Sequence, residues 1–324
     1  MRILNDYNLL QHNTFGINAK CKQFVEYESL DELKELRKTL CEPYLHIGEG
    51  SNLLFAEDYN GTILHCAIKG IKPLGNGYLE IGGGEIWDDV VDYCVRNGYY
   101  GAENLSLIPG ETGAAAVQNI GAYGAEIKDI IAWVDAMHLP TGKIRRMKAE
   151  ECKYAYRSSI FKTELKDQCA VYSVTLHLLS EFTPRLDYFK GKSDISTAKE
   201  LRQMIIDTRN SKLPDPKAIG NAGSFFMNPV VGQDKFESLL QKYPDMPHYP
   251  ANGGVKIPAG WMIEMCGWKG KSQGNAGVYA KQALVLVNNG NADGKEIISL
   301  CETIQRDVME KFGIEITPEV KIIR

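Results

Sequence analysis

Two glycine-rich segments carry the residue types and spacing that can do chemistry. The run Gly101–Ile127, GAENLSLIPGETGAAAVQNIGAYGAEI, sets Gly101, Gly110, Gly113, Gly121 and Gly124 among small side chains and Asn119. A shorter turn, Gly48-Glu49-Gly50-Ser51-Asn52, follows a strand-like stretch. Glycine lets the main chain take positive φ and approach a ligand closely, and successive N–H groups in such turns bind anions. A loop this long is usually functional or disordered, and its small apolar residues argue against disorder. Together the two segments predict loops that grip a diphosphate. Neither G-x-G-x-x-G between a strand and a helix nor G-x-x-x-x-G-K-[ST] occurs, so the pattern stops at a phosphate-bearing ligand in a nonstandard site. The run Gly82-Gly83-Gly84 precedes a helix, but the acids that follow disfavour phosphate, and it reads as a turn.

The elements that must hold these segments follow from periodicity. The first 66 residues read β-α-β-β: strands at Gln23–Tyr27, Tyr44–Ile47 and Thr62–Ile68, with a helix opened by a Ser29-x-x-Glu32 capping box. From 67 to about 210 come a strand at Tyr78–Ile81 and a helix at Glu85–Asn97 stopped by Gly98. A hairpin Ile130–His138/Lys143–Met147, a strand Ala170–Leu179 and a helix Thr197–Asn210 follow. Leu213-Pro214-Asp215-Pro216 marks a boundary. Beyond it lie helices at Gln233–Lys242, Ala259–Cys266 and Asp293–Phe312, the last closed by Gly313. Strands are expected at Ala283–Val287, Glu315–Thr317 and Val320–Ile323. The strands are not spaced by regular crossover helices, which excludes a simple doubly wound sheet and points to α+β.

With 324 residues the chain is long enough for about two domains, or three small ones. It is 44% hydrophobic and 24% charged, which excludes a disordered chain. Its 37 Lys+Arg against 41 Asp+Glu, net charge -4, give no bulk electrostatic reason to bind nucleic acid. No stretch approaches the ~18 apolar residues of a membrane span. The N-terminal MRILNDYNLLQHNTF lacks the apolar core of a signal peptide, so a cytoplasmic protein is expected. The 8 cysteines form no C-x-x-C pair and read as reduced, buried thiols. The six histidines have no carboxylate or cysteine at ligand spacing, so they read as structural or surface groups and no metal is expected.

The set GEGSNLLF, IPGETGAAAVQNIGAYG, YAYRSSIFK, SKLPDPKAIGNAGSFFMNP and TPEVKII, in this order along the chain, closely resembles the UDP-N-acetylenolpyruvoylglucosamine reductase family of flavin enzymes in peptidoglycan synthesis, and the resemblance runs from about Asn13 to the C-terminus. The resemblance implies a two-part FAD-binding domain of the vanillyl-alcohol-oxidase type, 1–66 and 67–213, and an α/β substrate-binding domain, 214–324. It implies noncovalent FAD, NADPH as reductant and the UDP-sugar enolpyruvyl ether as substrate; nothing in the sequence demands a dimer, so a monomer is expected. LDYFKGK around Tyr188 looks like the tyrosine loop of the longer subfamily, near 183–195.

Carried over residue by residue, Arg157 matches the arginine at the substrate carboxylate, Ser224 the proton donor and Glu319 the catalytic glutamate. The flavin positions are Gly48, Glu49, Gly50, Ser51 and Asn52, then Ser106, Ile108, Pro109, Gly110, Thr112 and Gly113, then Gln118, Asn119, Gly121, Ala122, Tyr123 and Gly124. Tyr188, Arg209, Lys212, Asn228, Tyr249, Lys269 and Gln282 match positions on or near the UDP-sugar. Met227 and Lys321 depart from the family pattern, standing where a basic residue and an arginine are common. The rival expectations are a flavin oxidase of the related fold and a nucleotide-sugar binder that has lost its flavin.

Overall fold

The computed structural model describes residues 1–189 and 194–324. They divide into two compact units. One is Met1–Tyr7, Cys21–Gly50 and Asn60–Ser211; the other is Asn8–Lys20, Ser51–Tyr59 and Lys212–Arg324. Of the expected tyrosine loop, 190–193 lie outside the described residues.

The first unit holds two sheets. In one the order is Arg2–Asn8, Lys20–Tyr27, Tyr59–Cys66, Tyr44–Ile47, the last two running parallel. Helix α1 (Leu30–Thr39) packs Leu33 and Leu36 with Val25, Tyr27 and Leu64. Ser29 Oγ accepts the Glu32 N–H, but the Glu32 carboxylate takes the Glu28 N–H, so the expected capping box closes on only one side. The other sheet is antiparallel, in the order Lys143–Lys148, Ile131–His138, Cys169–His177, Tyr78–Gly82, Ile71–Gly75. Helices α2 (Trp87–Arg96) and α3 (Thr112–Gln118) bury Trp87, Val90, Ala115 and Ala116 in its core, with Val134, Val174 and Leu176. Helix α4 (Ala198–Lys212) is tied to α2 by the Arg202–Asp88 ion pair, at 2.6 and 3.0 Å.

The Gly82–Gly84 run is the seat of this layer. A Cβ on Gly82 or Gly84 would lie 2.3 Å from the carbonyl oxygen of Ile68 or Cys66. The Gly83 carbonyl accepts the Gly113 N–H at 2.8 Å, which fixes the first turn of α3. The run is a turn, as expected, and its glycines are there for close main-chain packing.

In the second unit the sheet order is Gly220–Ser224, Val285–Asn288, Ala276–Val278, Ser272–Gln273. Helices α5 (Gln233–Lys242), α6 (Ala259–Met265) and α7 (Gly294–Phe312) complete it. Helix α7 has a full capping box, Asp293 with Glu296, and stops at Gly313, whose φ is +59°. Leu53–Phe55 pairs parallel with Lys321–Ile323. The expected strand at Glu315–Thr317 carries no ladder; the Thr317 carbonyl accepts the Met227 N–H at 2.9 Å and the Ile316 carbonyl accepts the Gln305 amide at 2.7 Å.

All eight cysteines are free thiols. Burial pushes Cys94 and Cys301 up to about 12. Cys41 is exposed, which corrects the expectation that every thiol is buried. Among the described residues no helix is long and apolar enough to cross a membrane.

Candidate active site

The two glycine segments meet within the first unit. A Cβ on Gly48 would fall 2.9 Å from the Ala114 Cβ and 3.1 Å from Glu111 Oε2, so the turn lies directly on the start of α3. Gly50 and Gly110 sit at φ +76° and +120°, where a side chain is strained. Backbone bonds fasten this cradle to the sheet layer: Trp87 N–H to Gly110 O at 2.9 Å, Thr112 N–H to Glu85 O at 2.8 Å. Thr112 Oγ1 donates to the same Glu85 carbonyl at 3.0 Å, and Ser106 Oγ to Glu103 O at 2.6 Å. These side chains hold the loop, so what they offer a ligand is main chain. A bare-backbone cradle of this kind fits the diphosphate of FAD.

Asn119 is fully buried at the left-handed end of α3, with φ +49°. Its amide donates to Ala155 O at 2.8 Å and Glu126 at 3.2 Å, and its Oδ1 accepts from Lys128 N–H at 3.3 Å. The first of these bonds anchors the turn that carries Arg157. Ala155 and Ser158 exchange both backbone bonds at 3.0 Å, leaving Tyr156 and Arg157 at the tip. Arg157 has φ +53°, a position where glycine is usual. Its Nη2 donates to Gly121 O at 2.8 Å, inside the second glycine segment.

Arg157 therefore joins a cluster that the sequence spread over almost ninety positions. Burial, with repulsion from Arg157 adding, holds the Arg209 guanidinium below the usual arginine value, against the pull of Tyr123 and Asp88. Arg209 Nε donates to Leu107 O at 3.1 Å, and Tyr123 lies beside its guanidinium. The Tyr123 ring meets Tyr188 edge-on at 5.2 Å and stacks on Phe189 at the same distance. Two guanidiniums beside an aromatic wall suit an anion with a ring attached. Asn104, buried and missed by the sequence reading, ties this wall together: its amide donates to Tyr123 O at 2.8 Å and Arg185 O at 3.0 Å.

In the second unit a bulge presents Ser224. Register shifts between Asn221 and Ser224 in the pairing with Val285–Asn288. Asn221 Oδ1 accepts the Gly223 N–H at 2.9 Å, and Gly223 takes φ +68°. Bulges of this kind re-aim a side chain out of the ladder. Ser224 is half-buried at its end. Next to it Phe226 pairs with Pro318, and the Glu319 N–H donates to Phe225 O at 2.8 Å. Glu319 is thus placed on the chain alongside Ser224. Asn52, the last residue of the short glycine turn, bonds to both sides of Val320: its amide to Glu319 O at 3.4 Å, its carbonyl to the Lys321 N–H at 3.1 Å.

The remaining positions expected on or near the substrate divide. Asn228 Oδ1 accepts the Ala259 N–H at 2.9 Å and so caps α6. Gln282 Oε1 accepts the Leu284 N–H at 3.3 Å and lies against Gly260 of the same helix. Lys269 is engaged by Glu264, at 3.0 and 3.1 Å. Tyr249 is 52% exposed on a small sheet with Val230–Val231 and Gly254–Lys256, and Lys212 is exposed at the end of α4.

One histidine meets acids that lie far from it in sequence. His65 is buried between two carboxylates, Nδ1 to Glu26 and Nε2 to Glu111, each at 2.9 Å. Separations of 39 and 46 residues hid both partners from any spacing rule.

The C-terminal domain of UDP-N-acetylenolpyruvoylglucosamine reductase matches residues 215–323, and an FAD binding domain matches residues 21–148. The UDP-N-acetylenolpyruvoylglucosamine reductase of Bacteroides fragilis strain YCH46 is 50% identical, over 98% of this chain and 99% of its own. That of Porphyromonas gingivalis strain ATCC 33277 is 46% identical over the whole of both chains. The crystal structure of the UDP-N-acetylenolpyruvylglucosamine reductase from Thermus caldophilus shares the fold, with TM-score 0.73 and 22% identity over the whole of both chains.

Proposed function

We propose that in this chain, which belongs to the UDP-N-acetylenolpyruvoylglucosamine reductase family, Arg157, Ser224 and Glu319 serve the reacting atoms of the substrate. The fold is the α+β arrangement of that family, an FAD-binding part followed by the family's C-terminal domain. The protein is an oxidoreductase that converts UDP-N-acetylglucosamine enolpyruvate to UDP-N-acetylmuramate for peptidoglycan. In this reading 1–66 and 67–213 form the two-part FAD-binding domain and 214–324 the substrate-binding domain. The enzyme works as a cytoplasmic monomer.

Gly48–Asn52 and the segment around Gly110 would hold FAD noncovalently, and the cofactor, once reduced by NADPH, would supply a hydride for the terminal carbon of the enolpyruvyl group. Negative charge then develops on the neighbouring carbon and spreads into the carboxylate. Arg157 faces that carboxylate: its guanidinium stays charged, and its planar fork matches two oxygens as they gain charge. Fixed donors aimed at developing charge are usually the largest catalytic contribution. Ser224 gives its hydroxyl proton to the carbon, and Glu319 polarises the carboxyl or shares its proton. Arg209 and Lys212 meet the diphosphate, while Tyr188 and Tyr249 cover it and the uridine. The observation that carries this assignment is the bond from the Glu319 N–H to Phe225 O, which sets the glutamate on the chain alongside the bulge-borne serine.

An anaerobic visible spectrum tests the reaction. The flavin band is expected to bleach with NADPH and return on adding the UDP-enolpyruvyl sugar. A colourless protein, or a bleached one that the sugar cannot reoxidise, would count against it. Fast reoxidation by oxygen without the sugar would favour an oxidase.

Tyr188→Ala removes the edge-on contact with Tyr123. It is expected to raise KM for the sugar about tenfold, the equivalent of ~1.4 kcal/mol, with flavin content unchanged. An unaltered KM removes the tyrosine from the substrate site.

A further inference from the structure

The His65 cluster bears on the flavin cradle, and its chemistry starts from an acid in the wrong place. Glu111 immediately precedes α3 at the junction of the two glycine segments, its Oε2 3.1 Å from where a Gly48 Cβ would be. A carboxylate there repels a diphosphate. Both ring nitrogens of His65 lie 2.9 Å from carboxylate oxygens, Glu26 on the Lys20–Tyr27 strand and Glu111 on α3. A neutral imidazole has one N–H and can satisfy only one of them. The arrangement is complete when a shared proton makes both nitrogens donors.

We propose that His65 is a positioning residue whose bound proton neutralises Glu111 at the diphosphate loops, so that FAD is held tightly only while the cluster keeps that proton. With the proton, His65, Glu26 and Glu111 together carry one negative charge; without it they carry two, and a ring lone pair faces a carboxylate. The other groups facing the cluster are Lys69 and Glu49, which pull Glu111 in opposite directions, and the buried Tyr27 hydroxyl and Cys66 thiol. The Phe24 ring lies near the imidazole, with centroids 6.0 Å apart and planes 30° apart.

The ionisation agrees in sign. Burial works to lower the His65 pKa, but hydrogen bonds and charge from Glu111 and Glu26 outweigh it and raise it above the usual value. Burial raises Glu111 against the pull of His65 and Lys69. A raised folded-state histidine pKa contributes stability that is full below its unfolded value, ~6.5, and is lost as pH rises through the folded value. Diphosphate affinity is linked to the same proton and falls as pH rises past the pKa of His65 in the folded, flavin-free protein.

This inference rests on the reading that Gly48–Asn52 and the segment around Gly110 bind FAD, and the test separates the two. The dissociation constant of FAD is measured by flavin fluorescence at pH 6 and pH 9. The wild-type constant is expected to rise about tenfold, which corresponds to about one pKa unit of linkage. Glu111→Gln removes the charge that needs neutralising and is expected to bind FAD with the same constant at both pH values, a gain over the wild type at pH 9 that misfolding cannot imitate. His65→Gln is expected to bind weakly at both. A pH-independent wild-type constant, or a Glu111→Gln profile that parallels the wild type, overturns the proposal. Gly50→Val is expected to lose FAD at both pH values; if it binds as the wild type does, the loop reading itself fails, whatever the pH profile.

Discussion

Ser224→Ala is expected to slow reoxidation of the reduced enzyme by the UDP-enolpyruvyl sugar by roughly 10²–10⁴-fold, the usual worth of one well-placed proton donor. Reduction by NADPH is expected to proceed as in the wild type, because no proton reaches a substrate carbon in that half-reaction. The structure makes the substitution clean. The bulge that aims Ser224 is built by Asn221 and Gly223, through the 2.9 Å bond between them, and by backbone pairing with Val285. Removing one hydroxyl leaves all of this in place. Stopped-flow measurement of the two half-reactions is the check. Equal losses in both would assign the serine to general site structure and end its role as the proton donor. Ser224→Cys, which keeps a proton of lower pKa at the same position, is expected to recover part of the rate.

Arg157→Lys is expected to lower kcat/KM for the sugar by ~10²–10³, the scale for losing one donor set aimed at developing charge. A lysine keeps the charge but loses the fork. It also loses the Nη2 bond to Gly121 O, which registers the guanidinium against the second glycine segment. The left-handed backbone of Arg157 belongs to the Ala155–Ser158 turn and is shared by either side chain, so folding is not the variable. Flavin content is expected to stay at the wild-type level. The check is kcat/KM together with bound flavin per chain. A loss below tenfold, or a loss that tracks flavin content, would place Arg157 in the cofactor cradle and remove it from the substrate carboxylate.

Local pattern carried much of the fold. Helix α5 spans Gln233–Lys242 as its apolar spacing predicts, because an amphipathic helix is written in residues three and four apart. Gly98 and Gly313 stop their helices at positive φ, as only glycine readily does. The elements missed are those with no local signature. Arg2–Asn8 has no buried residue and is a strand only because Lys20–Tyr27 lies beside it. Leu53–Phe55 is three residues long and exists through its parallel partner at the far C-terminus.

The same division runs through the chemistry. By itself the sequence determined the family and its FAD cofactor, and it singled out the two glycine segments and Arg157, Ser224 and Glu319 as candidates, since glycines at turns and side chains in motifs are local facts. Only the tertiary structure decided who holds them. Asn104 bridging Tyr123 and Arg185, Asn119 anchoring the Arg157 turn and Asn52 fastened to the Glu319 segment are each made by one amide reaching across chain neighbours distant in sequence. His65 between Glu26 and Glu111 is the sharpest case. A lone strand histidine has no meaning until folding brings two acids to its two nitrogens, and burial then makes their proton count matter.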